Sequence, residues 1–201
     1  MDILETMGNR VVGTGMRERE RCVAINSVDA LMGRERSPGP VGFGGGPAAS
    51  VGQVIDQLQA DSARMIANWV LRVANMPAFR AWPDLSLVEL QESIPALLNA
   101  TLIAMRSPDP SRDPEPETRA IEVAERHGQA RAGDAFPIGV LLAEFQAMGA
   151  ELRLAILRIS NGDPEMVEVA RELEGRLTRT LDVATIAAAE GWVDRTQAAP
   201  R

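Results

Sequence analysis

The single histidine of the chain, His127, lies in the segment ERHGQARAGDAFPIGVLLAEF, which spans residues 125–145. Arg131 follows it by four residues, and in a helix this spacing places the imidazole and the guanidinium on one face. Gly128 lies between them and leaves room for a neighbouring helix to approach closely. Glu144 comes one turn into the next predicted helix, where its carboxylate can pair with Arg131. We therefore predict that these residues form a hydrogen-bonded corner between two helices.

Other chemistry is open to His127. Because imidazole titrates near neutral pH, a corner held by a histidine could respond to pH or to a ligand. A lone histidine in a globin-like helical shell could also ligate heme iron. Nine methionines with no tyrosine and four phenylalanines are more typical of a soft core than of a heme pocket. Catalysis is disfavoured because no partner stands at the spacing of a catalytic triad. We expect no cofactor, no bound metal and no enzymatic activity.

Composition excludes several classes of protein. All 21 basic residues are arginine, so no lysine is present for a Schiff base or a phosphate-binding loop. One cysteine, Cys22, and one histidine are too few for a zinc site, and a reducing cytoplasm is the simplest setting. The net charge of -7 argues against a nucleic acid partner. No apolar run approaches the about 20 residues that span a bilayer, so we expect no membrane association.

The elements that position the corner follow from apolar residues at intervals of three and four, which are typical of amphipathic helices. This spacing predicts helices over residues 51–73, 94–105, 117–132, 138–159 and 164–192. No segment has a convincing strand pattern, and an aromatic content of 3% suits packed helices better than sheets. We predict an all-α, globin-like helical bundle with a long C-terminal helix.

Composition changes near residue 50. Glycine and proline are too dense over 34–50 for a helix or a regular strand, and we expect residues 1–50 to form a flexible extension. The helical domain is predicted over 51–192, and residues 193–201 form a tail.

The last predicted helix carries leucines at four-residue intervals, at Leu173, Leu177 and Leu181. This spacing approaches the apolar seam of a coiled coil. We predict that these leucines form the seam of a homodimer.

An ordered set of short motifs extends over residues 52–190. They are Trp69, Ile94-Pro95, His127-Gly128-x-x-Arg131, Phe136, Leu141-Leu142-x-Glu144-Phe145 and Leu152-Arg153. In this order and spacing they resemble the N-terminal domain of the RsbR/RsbRD-type proteins, the RsbT co-antagonists of bacterial stress signalling. The same domain also stands ahead of histidine kinases and other output modules.

The resemblance implies an all-α, globin-like domain that lacks heme and dimerises. Such domains are thought to receive a signal and to pass it along a C-terminal helix to an effector, such as a STAS or kinase domain. The sequence ends at Arg201, directly after that helix. We therefore expect the output to come from a separate partner, a kinase, a STAS protein or an anti-sigma-type protein.

Together these inferences predict a non-enzymatic, dimeric sensor module of bacterial stress or two-component signalling, which passes a conformational signal to a separate output protein. The signal would then bind more tightly to one packing of the bundle than to another, and so shift the equilibrium between them. Two alternatives stay open: a heme-binding, globin-like gas sensor, and a purely structural helical adaptor whose corner does not switch.

Overall fold

Helices dominate the part of the chain that the computed structural model describes, residues 50–80, 93–160 and 163–198, with the backbone alone at positions 78 and 80. The helices are α1 (Val51–Ala60), α2 (Ser62–Ala74), α3 (Pro77–Arg80), α4 (Ile94–Ala104), α5 (Glu115–Gly133), α6 (Ile138–Ser160) and α7 (Val167–Ala198). A single 3-10 turn, Pro164–Met166, precedes α7. No strand occurs in these ranges. The predictions of an all-α fold and a long C-terminal helix are therefore confirmed, whereas the predicted extension, except for Ser50, lies outside the described residues.

The first predicted helix is divided in two. Ser50 begins α1 with a capping box, in which its hydroxyl accepts from the Gln53 backbone and its backbone N–H donates to the Gln53 side chain at 2.7 Å. The sequence predicts one helix over 51–73, but the structure interrupts it at Asp61. Aspartate competes with the helical backbone for hydrogen bonds and favours helix ends. Here the Asp61 carboxylate pairs with Arg64 in the first turn of α2.

The turn between α5 and α6 is a Schellman motif. Ala135 has a φ of 59°, in the left-handed region. The N–H of Phe136 donates to the carbonyl of Arg131 at 2.9 Å, and the N–H of Ala135 donates to the carbonyl of Ala132 at 3.1 Å. This pair of bonds satisfies carbonyls that the helix end would leave free. Pro137 follows at the position where a fixed φ suits the start of α6.

The core forms where α2, α4, α5, α6 and α7 pack together, and it contains Trp69, Leu97, Leu141 and Leu177. Arg176, although charged, is only 9% exposed. Its guanidinium donates to the carbonyls of Met105 and Arg106, each at 3.1 Å, just beyond the C-terminal end of α4. A cation is favourable at this negative end of the helix dipole, so the contact fastens α7 to α4.

None of the helices in the described ranges combines the length and the apolar character needed to cross a membrane.

Candidate functional site

The inward face of α5 carries three residues of the predicted corner, His127, Gly128 and Arg131. His127 is 1% exposed and Arg131 is 2% exposed, and Gly128 is also buried. Small residues, Ala120 and Ala124, continue the same face toward the start of the helix. Intervals of three and four place all of them on one side of α5, so the helix buries an imidazole and a guanidinium together.

Glu144, on α6, joins these two side chains. Its carboxylate is 1% exposed and lies 2.8 Å from Nε2 of His127. Nε of Arg131 donates to the same oxygen, Oε2, at 3.2 Å. A buried carboxylate is tolerated when it is paired and hydrogen-bonded, and here one oxygen receives both partners.

The second carboxylate oxygen is less well satisfied. Oε1 of Glu144 lies 3.1 Å from Nε of Arg131, which is an ion-pair distance. It nevertheless accepts no hydrogen bond of good geometry, although it is buried. The charge of this oxygen is compensated by the guanidinium of Arg131, although no donor is aligned with it.

Ser93, which immediately precedes α4, supplies the other partner of the imidazole. Its Oγ lies 2.7 Å from Nδ1 of His127. Because an ionised Glu144 can only accept, we assign the proton of the neutral ring to Nε2, and Nδ1 then accepts from the Ser93 hydroxyl. In this state the charges of Glu144 and Arg131 cancel. We call these four residues the His127 cluster.

Aromatic side chains enclose the His127 cluster. The indole N–H of Trp69, on α2, donates to the backbone carbonyl of Glu144 at 3.0 Å. The ring of Phe145 meets the imidazole edge to face, with ring centres 5.8 Å apart. The guanidinium of Arg131 lies 4.8 Å from the centre of the Phe136 ring, a favourable cation–π distance. Aromatic rings therefore pack against the imidazole and the guanidinium, the two groups that α5 contributes.

Two glycines bring α5 and α7 into backbone contact. A Cβ added at Gly128 would lie 1.9 Å from the carbonyl oxygen of Ala188 on α7. A Cβ at Gly191 would lie 2.4 Å from the carbonyl oxygen of Glu125 on α5. No side chain fits at either position, so glycine is required by the close approach. The His127 cluster is thus one residue away from the tightest crossing in this region, the crossing with the C-terminal helix.

Trp192 adds a second link from α7 to the corner. Its indole N–H donates to the carbonyl of Phe136 at 2.8 Å. Reasoning from the sequence assigned no role to this residue, to Gly191 or to Ser93. Gly191 could have been identified, because a glycine inside a helix lowers the stability of the helix by about 1 kcal/mol and so indicates a packing requirement. Ser93 had none, since its partner is distant in the chain.

The predicted dimer seam requires a correction. Leu173 and Leu177 are 0% exposed and Leu181 is 8% exposed, and all three pack in the core of their own chain. With α7 in this position they hold the helix to the bundle and cannot meet a second copy. The reason is that intervals of three and four are the same for packing within a chain and between chains. On the outward side of α7, Ile186 is 59% exposed.

The geometry limits the chemistry of the site. Within the described ranges no three residues of the His, Cys, Asp and Glu types are arranged to hold a metal ion. Both ring nitrogens of His127 already have partners, so iron ligation would have to displace Ser93 or Glu144. What the site can do is change its hydrogen bonds at the point where α5, α6 and α7 meet.

Comparison with known proteins places this arrangement in a family. No curated protein matches the chain, and no solved structure matches it. A family model described as the RsbT co-antagonist protein RsbRD N-terminal domain matches residues 63–201, which include all of α5, α6 and α7. The match covers more than half of the chain, and the chain belongs to this family of stress-signalling regulatory domains.

Proposed function

We propose that this chain is a non-enzymatic sensor module that converts a change at the His127 cluster into a change in the position of α7. The observation that supports this most directly is the shared carboxylate of Glu144 on α6, which binds two residues of α5. Gly128, next to His127, is in turn one of the two positions at which the backbones of α5 and α7 touch. Any signal that alters the hydrogen bonds of Glu144 therefore acts on the contact that positions the C-terminal helix.

The direction in which the signal passes follows from which contacts can adjust and which cannot. Backbone contacts between α5 and α7 leave no space for gradual adjustment, because packed interfaces shift between discrete arrangements rather than deform continuously. The cluster is more adjustable, since it is built from side chains and Oε1 of Glu144 accepts no hydrogen bond of good geometry. The signal is thus received at the cluster and delivered by α7.

The module acts as a homodimer in this proposal, through the outward face of α7 instead of the leucine seam. Val183, Ile186 and Val193 lie on that face, with intervals of three and seven. Ile186 is exposed, and the two valines are half-buried in the isolated chain. Two copies of α7 joined there would bring both C-terminal helices together, where a partner could read their relative position.

The output belongs to a separate cytoplasmic protein of the kinase, STAS or anti-sigma class. The family supports a role in stress signalling. Ser93, His127 and Glu144 are hydrogen-bonded in the order of a nucleophile, a base and a carboxylate. The described residues nevertheless support a regulatory role, because the imidazole and the carboxylate are each only 1% exposed and a substrate cannot reach them in this packing.

Spin labels on α5 and α7 test this mechanism. With Cys22 replaced by serine, labels at Glu122→Cys and Asp194→Cys, both exposed positions, report the distance between the two helices. Excess unlabelled protein ensures that distances within one chain dominate. We expect one narrow distribution for the parent and a second population for Glu144→Gln.

Glu151→Gln is the matched control, because Glu151 is buried on the same helix but pairs with Arg72. It should keep the distribution of the parent. If Glu144→Gln also keeps it, the cluster does not position α7, and the structural adaptor is the better description.

A further inference from the structure

A small cavity lies between α2, α4 and α6, beside the His127 cluster. Its volume is about 10 Å³, and its wall includes Met65, Trp69, Ile94, Leu98 and Met148. All five side chains are at most 3% exposed. The half-buried Ile66 forms its edge. The space is therefore inside the bundle but close to the surface.

The wall chemistry favours an apolar occupant. The volume is close to the minimum that one water molecule requires, but a buried water also needs about two to four polar partners. The one charged side chain of the wall, Glu151, already accepts a hydrogen bond from Arg72 at 2.7 Å. The indole N–H of Trp69 is used by the Glu144 carbonyl. Few polar groups remain for water, so an apolar molecule loses less on entering than water does.

The wall can also enlarge. Met65 and Met148 are on different helices, and methionine has an unbranched side chain that changes rotamer at little cost. A molecule somewhat larger than water can therefore enter if these two side chains move.

Two wall residues connect the cavity to the His127 cluster. Trp69 donates to the backbone of Glu144 at 3.0 Å. Ile94 directly follows Ser93, whose Oγ is 2.7 Å from His127. A molecule that pushes on Trp69 would thus act on the backbone of Glu144, and one that pushes on Ile94 would act on Ser93.

We infer that this cavity is a binding site for a small apolar molecule in the size class of dissolved gases, which enters when Met65 and Met148 move aside. The binding of such a molecule does not depend on the proposed function. The step by which occupancy shifts the His127 cluster rests on the proposed function, for which it names the class of ligand.

Xenon is a suitable probe, because it is apolar, monatomic and detectable through the protein's own signals. With methionine labelled at its ¹³C methyl groups, we expect the signals of Met65 and Met148 to shift in a saturable way as xenon pressure rises. Met105 and Met166 are buried outside the cavity wall and serve as internal controls. Helium at equal pressure controls for compression.

Variants of α4 sharpen the test. Leu98→Ala removes part of the wall and should increase the apparent affinity for xenon several-fold. Leu102→Ala is its matched control on the same helix, since Leu102 is buried but does not line the cavity. Equal linear shifts at all four methionines, in the parent and in Leu98→Ala alike, would overturn the binding site.

Coupling is measured separately, by the ¹⁵N signals of the His127 ring. Saturation with xenon should change their shifts in the parent and leave them unchanged under helium. If the methionine signals respond while the ring does not, the binding site stands and its coupling to the cluster is wrong. A response of the ring with no change in the α5–α7 distance would leave the site and coupling intact and contradict the proposed function.

Discussion

Nε2 of His127 lies 2.8 Å from a carboxylate oxygen of Glu144, and both side chains are almost completely withdrawn from solvent. The same oxygen is shared with Arg131. One carboxylate on α6 thus neutralises a guanidinium and orients an imidazole on α5. Because each group lacks access to water, each depends on the others for its hydrogen bonds.

Removing that carboxylate should destabilise the fold strongly. Glu144→Ala removes the buried carboxylate that His127 and Arg131 share, and breaking a buried ion pair in this way costs about 3–5 kcal/mol. Urea unfolding followed by circular dichroism measures the change in the free energy of unfolding. Glu151→Ala is the control, because its partner Arg72 is 39% exposed and can turn to solvent. A loss for Glu144→Ala that is no larger than that of the control would contradict the central role of this carboxylate.

Two substitutions of glycine by alanine should change the stability of the protein in opposite directions. Gly128→Ala places a Cβ against the carbonyl of Ala188, so α5 and α7 must separate, and overpacking of this kind costs about 1–3 kcal/mol or more. Gly175→Ala, in α7, meets no atom within 4 Å and should stabilise the protein by about 0.5–1 kcal/mol. Thermal unfolding of both variants decides the matter. Stabilisation by Gly128→Ala would show that the two helices do not touch there.

The turn after α5 can be improved. Ala135 occupies the left-handed region, which costs an L-residue about 1–2 kcal/mol, whereas glycine adopts it freely. Glycine also gives the unfolded chain more conformational entropy, which offsets part of this relief. Ala135→Gly should therefore raise the free energy of unfolding by about 0.5–1 kcal/mol. Ala130→Gly, at an exposed position inside α5, should instead lose about 1 kcal/mol. Equal losses in the two variants would rule out the Schellman motif in solution.

The two faces of α7 should respond differently to a charge. Leu177→Asp buries a carboxylate in the core, so it should unfold the chain instead of merely separating a dimer. Ile186→Asp, on the outward face, should leave the melting temperature nearly unchanged and shift the molar mass in light scattering from dimer to monomer. A folded, monomeric Leu177→Asp would restore the leucines as the seam.

The loop before α5 contains one carboxyl group with a perturbed pKa. The hydroxyl of Ser111 donates to Asp109 at 2.6 Å and its backbone N–H donates at 3.0 Å, and these bonds hold the pKa of Asp109 below its usual value. The stabilisation is therefore complete above the ordinary pKa of aspartate and is lost as pH falls through the lowered one. In an NMR titration Ser111→Ala should raise the pKa of Asp109, while Ser111→Thr should keep it low. An unchanged pKa in Ser111→Ala would mean that the hydroxyl is not the main cause.

Much of the fold could be predicted because helices depend on nearby residues. The end of α5 near Gly133 and the start of α6 at Ile138 follow from AGDAFP, in which proline removes a backbone donor. The interruption at Asp61 was missed, since the apolar spacing continues across it and its carboxylate pairs with Arg64 instead of capping α2. The site was predicted where its members are close in the chain, at His127, Arg131 and Glu144.

What the sequence determined by itself, then, is where helices occur and which face of each is apolar, because these depend on intervals of three and four residues. It could not determine which face meets which. Ser93 and His127 are 34 residues apart, and Trp69 and Glu144 are 75 residues apart. Only the tertiary structure decided that the leucines of α7 turn inward, since the same interval serves a core or a dimer. That choice depends on the total apolar area that all the helices bury together, which no single helix specifies.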